Sequence, residues 1–135
     1  MRILADSHSI AWYLTTPEQL SAHALDALRE AEDTEGIAVS VVTLGELWYA
    51  THKRPPRHLD PSSFALIEAT LQSPEANADL VPVTESTIQH FGKPQLKDLK
   101  DPFDRFILST AADLRLPLVS ADHAIQKTGL VEVIW

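Results

Sequence analysis

Short apolar runs alternate with longer amphipathic segments along the 135-residue chain, and this alternation constrains the fold more than any other feature. The short runs are rich in Ile, Leu, Val and Ala, as is typical of strands buried on both faces of a sheet. Strands separated by helices indicate βαβ units, and therefore an α/β fold with a mainly parallel central sheet of about five strands. The predicted strands are Ile3–Ala5, 37–42, 80–83, 116–120 and 131–135, and the predicted helices are 10–14, 22–31, 44–52, 64–71, 85–91 and Pro102–Leu114.

The composition narrows the class of protein. A chain of 135 residues with 44% hydrophobic content can build one core, so we expect a single domain over residues 1–135. The absence of cysteine excludes a thiolate metal site and fits a reducing cytosol. Early charges at Arg2 and Asp6 argue against a signal peptide, and no apolar run approaches the roughly 18 residues of a membrane helix. The net charge of −8 argues against a protein that coats nucleic acid, because such proteins are usually basic. It does not argue against an enzyme that contacts nucleic acid through metal ions and a few cationic side chains.

Three carboxylates stand alone in stretches that carry no other charged residue: Asp6, Glu46 and Asp122. A lone carboxylate among apolar residues is costly to bury unless it is neutralised, hydrogen-bonded or bound to a metal. Asp6 follows the first predicted strand and Asp122 closely follows the fourth, while Glu46 lies in the helix after the second. Because ligands of parallel sheets bind at the carboxyl ends of the strands, we expect these acids to meet around a cation.

Each of these residues also has a structural explanation. Asp6 and Asp122 could bond loop amides or cap the helices that follow them. Glu46 could instead extend from its helix into solvent. His8 and His123 lie beside two of the acids, and are either ligands or bases, or hydrogen-bonded structural histidines.

The segment 101–104 supplies a fourth candidate acid. Asp101 precedes Pro102, which is the pattern of a helix N-cap followed by proline at the first helical position. Asp104 occupies the third position of an approximate capping box, and it borders the apolar stripe of the predicted helix, so it points partly inward. Asp104 is therefore a candidate ligand, whereas Asp101 is either a ligand or only a cap.

Two further groups of residues have simpler interpretations. The tryptophans are interpreted as core aromatics rather than base-stacking platforms; they are Trp12, Trp48 and Trp135. The cations that precede or enter the last long helix either contact phosphates or are scattered surface charges; they are Lys93, Lys97, Lys100 and Arg105. The Pro-rich and locally basic segment 53–63 is predicted to be a loop between two helices.

A cluster of carboxylates without a need for histidine or cysteine favours Mg²⁺ or Mn²⁺ over zinc or copper. Such a site lowers the pKa of a bound water and neutralises charge on a leaving oxygen, so phosphodiester hydrolysis is the natural reaction. Without metal, the acids should raise one another's pKa values.

The segments ADSHSIAWYL, SVVTLGELWYA and KDPFDRFILSTAADLRLPLVSAD together resemble the PIN-domain ribonucleases, and more narrowly the VapC-type toxins of toxin–antitoxin pairs. The resemblance implies a three-layer sandwich and catalytic, metal-binding acids at Asp6, Glu46, Asp104 and Asp122. It makes Asp101 an auxiliary acid or a cap, and it matches Ser7 and Ser120 to small hydroxyl positions beside two of the acids.

The resemblance also implies partners and cofactors. The family cleaves RNA, often tRNA or ribosomal RNA, with Mg²⁺ or Mn²⁺, usually as a cytoplasmic homodimer, and a cognate antitoxin covers the site. We expect Asp6 and Asp122 to bind the metal directly, and Glu46 and Asp104 to bind the metal or its waters. Two alternatives stay open: an aspartate-based phosphatase or phospho-acceptor domain with Asp6 as nucleophile, and a non-catalytic PIN-like binding module.

Overall fold

Five short strands form one parallel sheet in the part of the chain that the structure, a computed structural model, describes, namely residues 1–55, 57 and 59–135. They are β1 (Ile3–Ala5), β2 (Ile37–Ser40), β3 (Ala78–Val81), β4 (Leu118–Val119) and β5 (Val133–Ile134). The strand order is β3-β2-β1-β4-β5, so the chain extends from β1 to one side and then returns to extend to the other. The predicted α/β fold with a parallel sheet of about five strands is confirmed.

Alternation along the strands divides the core into two layers. Ile3 pairs with Ile37 and Leu4 pairs with Leu118. Ile3 and Ile37 point into one hydrophobic cluster, whereas Leu4 and Leu118 point into the other. Since successive side chains of a strand face opposite sides, continuous apolar strands need a helical layer on each face.

The helices supply those two layers. They are α1 (Ser7–Thr15), α2 (Ala22–Asp33), α3 (Val41–His52), α4 (Pro61–Gln72), α5 (Glu85–Ile88), α6 (Pro102–Leu114) and α7 (His123–Thr128), with 3₁₀ turns at Pro17–Gln19 and Pro94–Leu96. Helices α1 to α4 contribute to the first cluster, and α6 and α7 contribute to the second. None of the described helices is long and apolar enough to cross a membrane.

Several predicted boundaries are wrong, because polar caps move the ends of the elements. The predicted strand 37–42 ends at Ser40, whose hydroxyl accepts from the Val42 amide and starts α3. The predicted helix 64–71 begins at Pro61, because Asp60 caps it. The predicted loop 53–63 is correspondingly shorter, and its residues Pro56 and His58 lie outside the described residues.

Other elements differ in length or were not predicted. Helix α1 starts at Ser7 and is longer than the predicted 10–14, whereas α5 ends at Ile88 and is shorter than the predicted 85–91. The strand predicted at 80–83 is Ala78–Val81, and those predicted at 116–120 and 131–135 are Leu118–Val119 and Val133–Ile134. The short helix α7 and the two 3₁₀ turns have no counterpart among the predicted elements.

Candidate metal centre

Asp6 lies at the carboxyl end of β1, the central strand of the sheet. Its amide donates to the Val119 carbonyl of β4 at 3.1 Å, and its carboxylate accepts from the Ser9 amide at 2.9 Å. Asp6 is therefore the N-cap of α1, and it is only 5% exposed. Burial raises the pKa of Asp6, while hydrogen bonds from Ser120 and Ser9 lower it. The structure holds this carboxylate firmly at the edge where β1 and β4 separate.

Glu46 is directed from α3 towards α1. The Ser7 hydroxyl, in the first turn of α1, donates to the Glu46 carboxylate and lies 3.2 Å from the Thr43 hydroxyl. Burial raises the pKa of Glu46, and the charges of Asp101 and Asp6 raise it further. Glu46 is thus held inside the site by Ser7, and the alternative that it simply extends into solvent is wrong.

Asp101 and Asp104 occupy the first turn of α6. Asp101 is the predicted N-cap, and its Oδ1 accepts from the Phe103 amide at 2.8 Å and the Asp104 amide at 3.4 Å. The reciprocal bond of a capping box, from the Asp101 amide to Asp104, is not among the hydrogen bonds of the described residues. Asp104 instead faces the other acids: burial raises its pKa to about 7, with added contributions from the charges of Asp101, Asp122, Glu46 and Asp6.

Glu46, Asp101 and Asp104 form the acidic cluster: each offers a carboxylate oxygen, and these oxygens lie within 4.8 Å of one another. The Asp101 carboxylate caps α6 through Oδ1 and still has further acceptor capacity. The cluster offers hard oxygen donors, and burial together with the negative charge of Asp101 raises the pKa values of Glu46 and Asp104. Such a donor set fits Mg²⁺ or Mn²⁺.

Asp122 lies beside the cluster, at the end of β4. Its carboxylate accepts from the amides of Ala124 and Ile125 at 2.7 and 3.3 Å, so it caps α7 and is exposed. Its amide donates to the Ser120 hydroxyl at 3.1 Å, and Ser120 also hydrogen-bonds Asp6. Sequence reasoning missed α7, although Asp122 before it and Gly129 with a positive φ after it mark its two ends.

The five acids thus surround one edge of the sheet, but with unequal separations. The structure places Asp101, which the sequence left as a ligand or a cap, in the acidic cluster with Glu46 and Asp104. Asp6 and Asp122 lie outside that group, yet their charges act on Asp104. His8 is exposed in the first turn of α1, and its charge lowers the pKa values of Asp6 and Glu46. His123 is exposed in the first turn of α7.

Arg105 does not serve as a free phosphate-binding cation. Its guanidinium donates to the backbone carbonyls of Phe91, Leu96 and Leu99, the last two at 2.8 Å. A guanidinium that satisfies three carbonyls of one connecting segment fixes that segment against α6. The interpretation of Arg105 as a phosphate contact or a scattered surface charge is therefore wrong. Lys93 is half-buried, whereas Lys97 and Lys100 are exposed.

The tryptophans also separate into two kinds. Trp12 and Trp135 pack against the first hydrophobic cluster, with ring centroids 6.0 Å apart, as a core interpretation predicts. Trp48 is 45% exposed on the outer face of α3, so its interpretation as a core residue is wrong. The 3.6-residue period explains the difference, because Trp48 lies about 100° around α3 from Leu47, the middle of the buried stripe that Thr43, Leu47 and Thr51 form.

A parallel α/β domain with carboxylates gathered at the carboxyl edge of its sheet is the arrangement expected of a domain that binds divalent cations. The family model of the PIN domain matches residues 3–130. The chain belongs to the PIN domain family. No curated protein sequence matches the chain significantly.

Solved structures share the fold over nearly the whole chain. VapBC2 from Rickettsia felis, bound to a promoter DNA fragment, is 14% identical with a TM-score of 0.72, covering 98% of this chain and 97% of that one. DNA-bound VapBC from Salmonella typhimurium is 16% identical with a TM-score of 0.71, covering 98% and 96%. VapBC-5 from Mycobacterium tuberculosis, of the VapBC family of toxin–antitoxin systems, is 20% identical with a TM-score of 0.59, covering 98% and 96%. Identities this low establish a shared fold.

Proposed function

We propose that residues 1–135 form one PIN domain that acts in the cytoplasm as a Mg²⁺- or Mn²⁺-dependent endoribonuclease, the toxin of a toxin–antitoxin pair. The observation that carries this proposal is the acidic cluster at the carboxyl edge of the sheet, in a chain of the PIN domain family. Structures of VapBC proteins with the same fold support the toxin class.

The acids have different roles in the proposed site. Glu46, Asp101 and Asp104 would hold the metal through carboxylate oxygens, and the firmly held Asp6 and Asp122 would complete its surroundings. A bound divalent ion would lower the pKa of an attacking water and neutralise charge on the leaving oxygen. Either Glu46 or Asp104 would accept the proton of the attacking water, since both carboxylates belong to the acidic cluster. Ser7 fixes the direction of the Glu46 carboxylate.

The proposed partners are an RNA of the tRNA or ribosomal class, a cognate antitoxin and a second copy of the chain. A groove of about 600 Å³ begins at His8, beside the acids, and runs between α1, α3 and the start of α4. Its apolar wall suits the apolar face of an antitoxin segment, and its members are Ala11, Trp12, Leu47, Ala50 and Leu59. A segment in this groove would end at His8, next to the acids.

An aspartate-based phosphatase is disfavoured by the environment of Asp6. The Asp6 carboxylate accepts from the Ser9 amide and is 5% exposed, so it is poorly placed to attack a phosphorus. The carboxylates gathered around Asp6 also disfavour a non-catalytic binding module. Carboxylates that repel one another destabilise the fold, and a module that binds no metal gains nothing from them.

The Asp6→Asn variant tests the proposal. Asparagine caps helices as well as aspartate does, so we expect an intact fold but no metal-dependent cleavage of total RNA. EDTA should stop cleavage by the wild type. Mg²⁺ or Mn²⁺ should raise the melting temperature of the wild type far more than that of the variant. Cleavage by Asp6→Asn at the wild-type rate, or cleavage that persists in EDTA, would contradict the proposal.

A further inference from the structure

Residues 89–101, here called the connecting segment, join α5 to α6 through a series of turns. The segment includes the 3₁₀ turn Pro94–Leu96, and the Leu99 amide then donates to the Leu96 carbonyl at 3.1 Å. It ends at Asp101, an exposed member of the acidic cluster. The position of this carboxylate therefore depends on how the connecting segment is held against the domain.

Arg105 joins the connecting segment to α6 through its side chain. Its Nη1 donates to the Phe91 carbonyl at 2.5 Å, and its Nη2 donates to the carbonyls of Leu96 and Leu99, both at 2.8 Å. Phe91 lies near the start of the segment, and Leu99 lies two residues before Asp101. A guanidinium can bond all three carbonyls because its donors lie on separate nitrogens in a rigid plane. The side chain therefore holds the connecting segment near both of its ends.

The backbone of Arg105 lies in the turn that carries two of the acids. Its amide donates to the Asp101 carbonyl at 3.1 Å, and Arg105 directly follows Asp104 in the chain. The two neighbouring side chains diverge, since Asp104 faces the other acids whereas the guanidinium faces carbonyl oxygens. Among the described residues, Arg105 forms no ion pair with the acidic cluster. Its connection to the site therefore runs through the backbone.

The connecting segment also has apolar contacts with the domain. Leu96 and Leu99 are buried in the second hydrophobic cluster, and the Phe91 ring meets that of Phe106 edge to face at 4.9 Å. Apolar contacts are non-directional, so they keep the segment on the domain without fixing its course as hydrogen bonds do. We therefore expect the domain to fold without the Arg105 side chain, with a connecting segment that is free to shift.

Repulsion makes a fixed position necessary at Asp101. The negative charge of Asp101 raises the pKa values of Glu46 and Asp104, so the three carboxylates act on one another. Because like charges repel, an exposed carboxylate at the end of a loosely held segment turns away from its neighbours. A carboxylate that is already held in place binds a metal more tightly, because the cost of ordering it has been met during folding.

We propose that Arg105 is a positioning residue of the candidate metal centre, an inference that rests on the proposed metal-dependent function. Arg105 holds the connecting segment so that the Asp101 carboxylate stays beside Glu46 and Asp104. It contacts neither the metal nor the RNA, and its effect on metal affinity passes through Asp101.

The rival explanation is that Arg105 acts by its positive charge alone, by reducing the repulsion among the acids. Any cation at this position would then serve equally well. A lysine keeps the charge, but its single terminal nitrogen cannot replace the bonds that Nη1 and Nη2 make to separate carbonyls. The exchange of arginine for lysine therefore separates the two explanations.

Mn²⁺ binding to the RNA-free protein tests the proposal, because it is measured independently of cleavage. Electron paramagnetic resonance reports the free ion, at a temperature where circular dichroism shows each variant to be folded. We expect Arg105→Lys and Arg105→Gln each to raise the Kd for Mn²⁺ about tenfold, as is typical when a residue that supports a metal ligand is lost. If Arg105→Gln does not fold, Arg105→Lys, which keeps the charge, decides the question.

A double-mutant cycle tests whether the effect passes through Asp101. Asp101→Asn removes the charge that Arg105 is proposed to position, so adding Arg105→Lys to it should change the Kd for Mn²⁺ little further. The same fold-change in both backgrounds would overturn the inference, because Arg105 would then act independently of Asp101.

Two control variants separate positioning from a loss of stability. Leu28→Ala on α2 removes a buried side chain from the first hydrophobic cluster, so it should lower the melting temperature in EDTA but keep the wild-type Kd for Mn²⁺. Arg2→Lys makes the same exchange beside the opposite end of β1, where the guanidinium bonds Asp79, and it should also keep the wild-type Kd. Weakened Mn²⁺ binding in either control would contradict a specific role for Arg105.

The outcomes also distinguish this inference from the proposed ribonuclease function. Wild-type Mn²⁺ affinity in Arg105→Lys would overturn the inference, even if the wild-type chain cleaves RNA. Weakened affinity in Arg105→Lys that disappears in the Asp101→Asn background would support it, even if no RNA is cleaved.

Discussion

Helices α4 and α6 begin with the same local pattern, an aspartate cap followed by proline, but only one of them belongs to the candidate metal centre. Asp60 accepts from the Ser63 amide at 2.8 Å, and Asp101 accepts from the Phe103 amide at the same distance. In each case proline occupies the first helical position. Both helices therefore begin with the same type of N-cap, because capping depends only on residues close together in the chain.

The third helical position and the neighbouring helix make the two starts different. In α4 this position is Ser63, and hydrogen bonds from Ser62 and Ser63 lower the pKa of Asp60. In α6 it is Asp104, whose pKa is raised to about 7 by burial and by the surrounding acids, Glu46 among them. The same cap is therefore purely structural in α4, whereas in α6 it adds a charge to a group of repelling charges.

The largest expected effect is on the rate of RNA cleavage, which should depend on Asp101 but not on Asp60. Asparagine keeps both caps, so Asp60→Asn and Asp101→Asn should both fold. We expect Asp101→Asn to lower the rate of RNA cleavage about a hundredfold, as is typical when one preorganised electrostatic group is lost from an active site. Asp60→Asn should cleave at the wild-type rate. Equal rates in the two variants, measured with the same RNA and Mn²⁺ concentration, would show that Asp101 only caps.

A smaller effect concerns stability without metal. The pKa of Asp104 is raised from 3.8 to about 7, so folding keeps this group protonated between those values while the unfolded chain has released the proton. The contribution of Asp104 to stability therefore falls as pH rises from about 4 to about 7, and it stays low above that. We expect Asp104→Asn in EDTA to raise the melting temperature by a few degrees at pH 8.

The same variant supplies its own control at low pH. Near pH 4 the Asp104 carboxyl is protonated in the folded state, so the wild type and Asp104→Asn should melt at nearly the same temperature. Mn²⁺ should raise the melting temperature of the wild type at pH 8 and remove the advantage of the variant. A variant that is less stable than the wild type at pH 8 in EDTA would contradict the assignment of Asp104 to a repelling cluster.

The sequence predicted the fold well because its signals are local and repeated. Alternation of apolar runs with amphipathic segments was enough for the parallel sheet, and the Asp-Pro pattern correctly predicted the cap at Asp101. Boundaries failed where a polar N-cap starts a helix at or directly after the end of a strand, as at Asp6 and Ser40. The side chain of the cap sets where the helix begins, and the apolar pattern does not contain that information.

The candidate site was predicted less completely than the fold. Lone carboxylates after strands led to Asp6 and Asp122, and both lie at the expected edge. The close approach of Asp101 to Glu46 depends on the packing of α6 against α3. This packing brings together residues that are 55 positions apart in the chain, and no local sequence pattern predicts it. Trp48 was misread for a related reason: a tryptophan in an apolar helix looks like a core residue until the buried face of that helix is known.

The smallest expected effect has the opposite sign to that of Asp104. Hydrogen bonds to its carboxylate lower the pKa of Asp60 below 3.8, so this group stabilises the fold above that pH and loses its contribution as the pH falls through the lowered value. Asp60 is exposed, and water screens the effect. We therefore expect Asp60→Asn to lower the melting temperature at pH 7 by only about 1 °C. At a pH well below 3.8 the difference should vanish. A rise at pH 7 would mean that the two Asp-Pro helix starts carry similar charge environments, and that the first turn of α6 is not specialised for binding a cation.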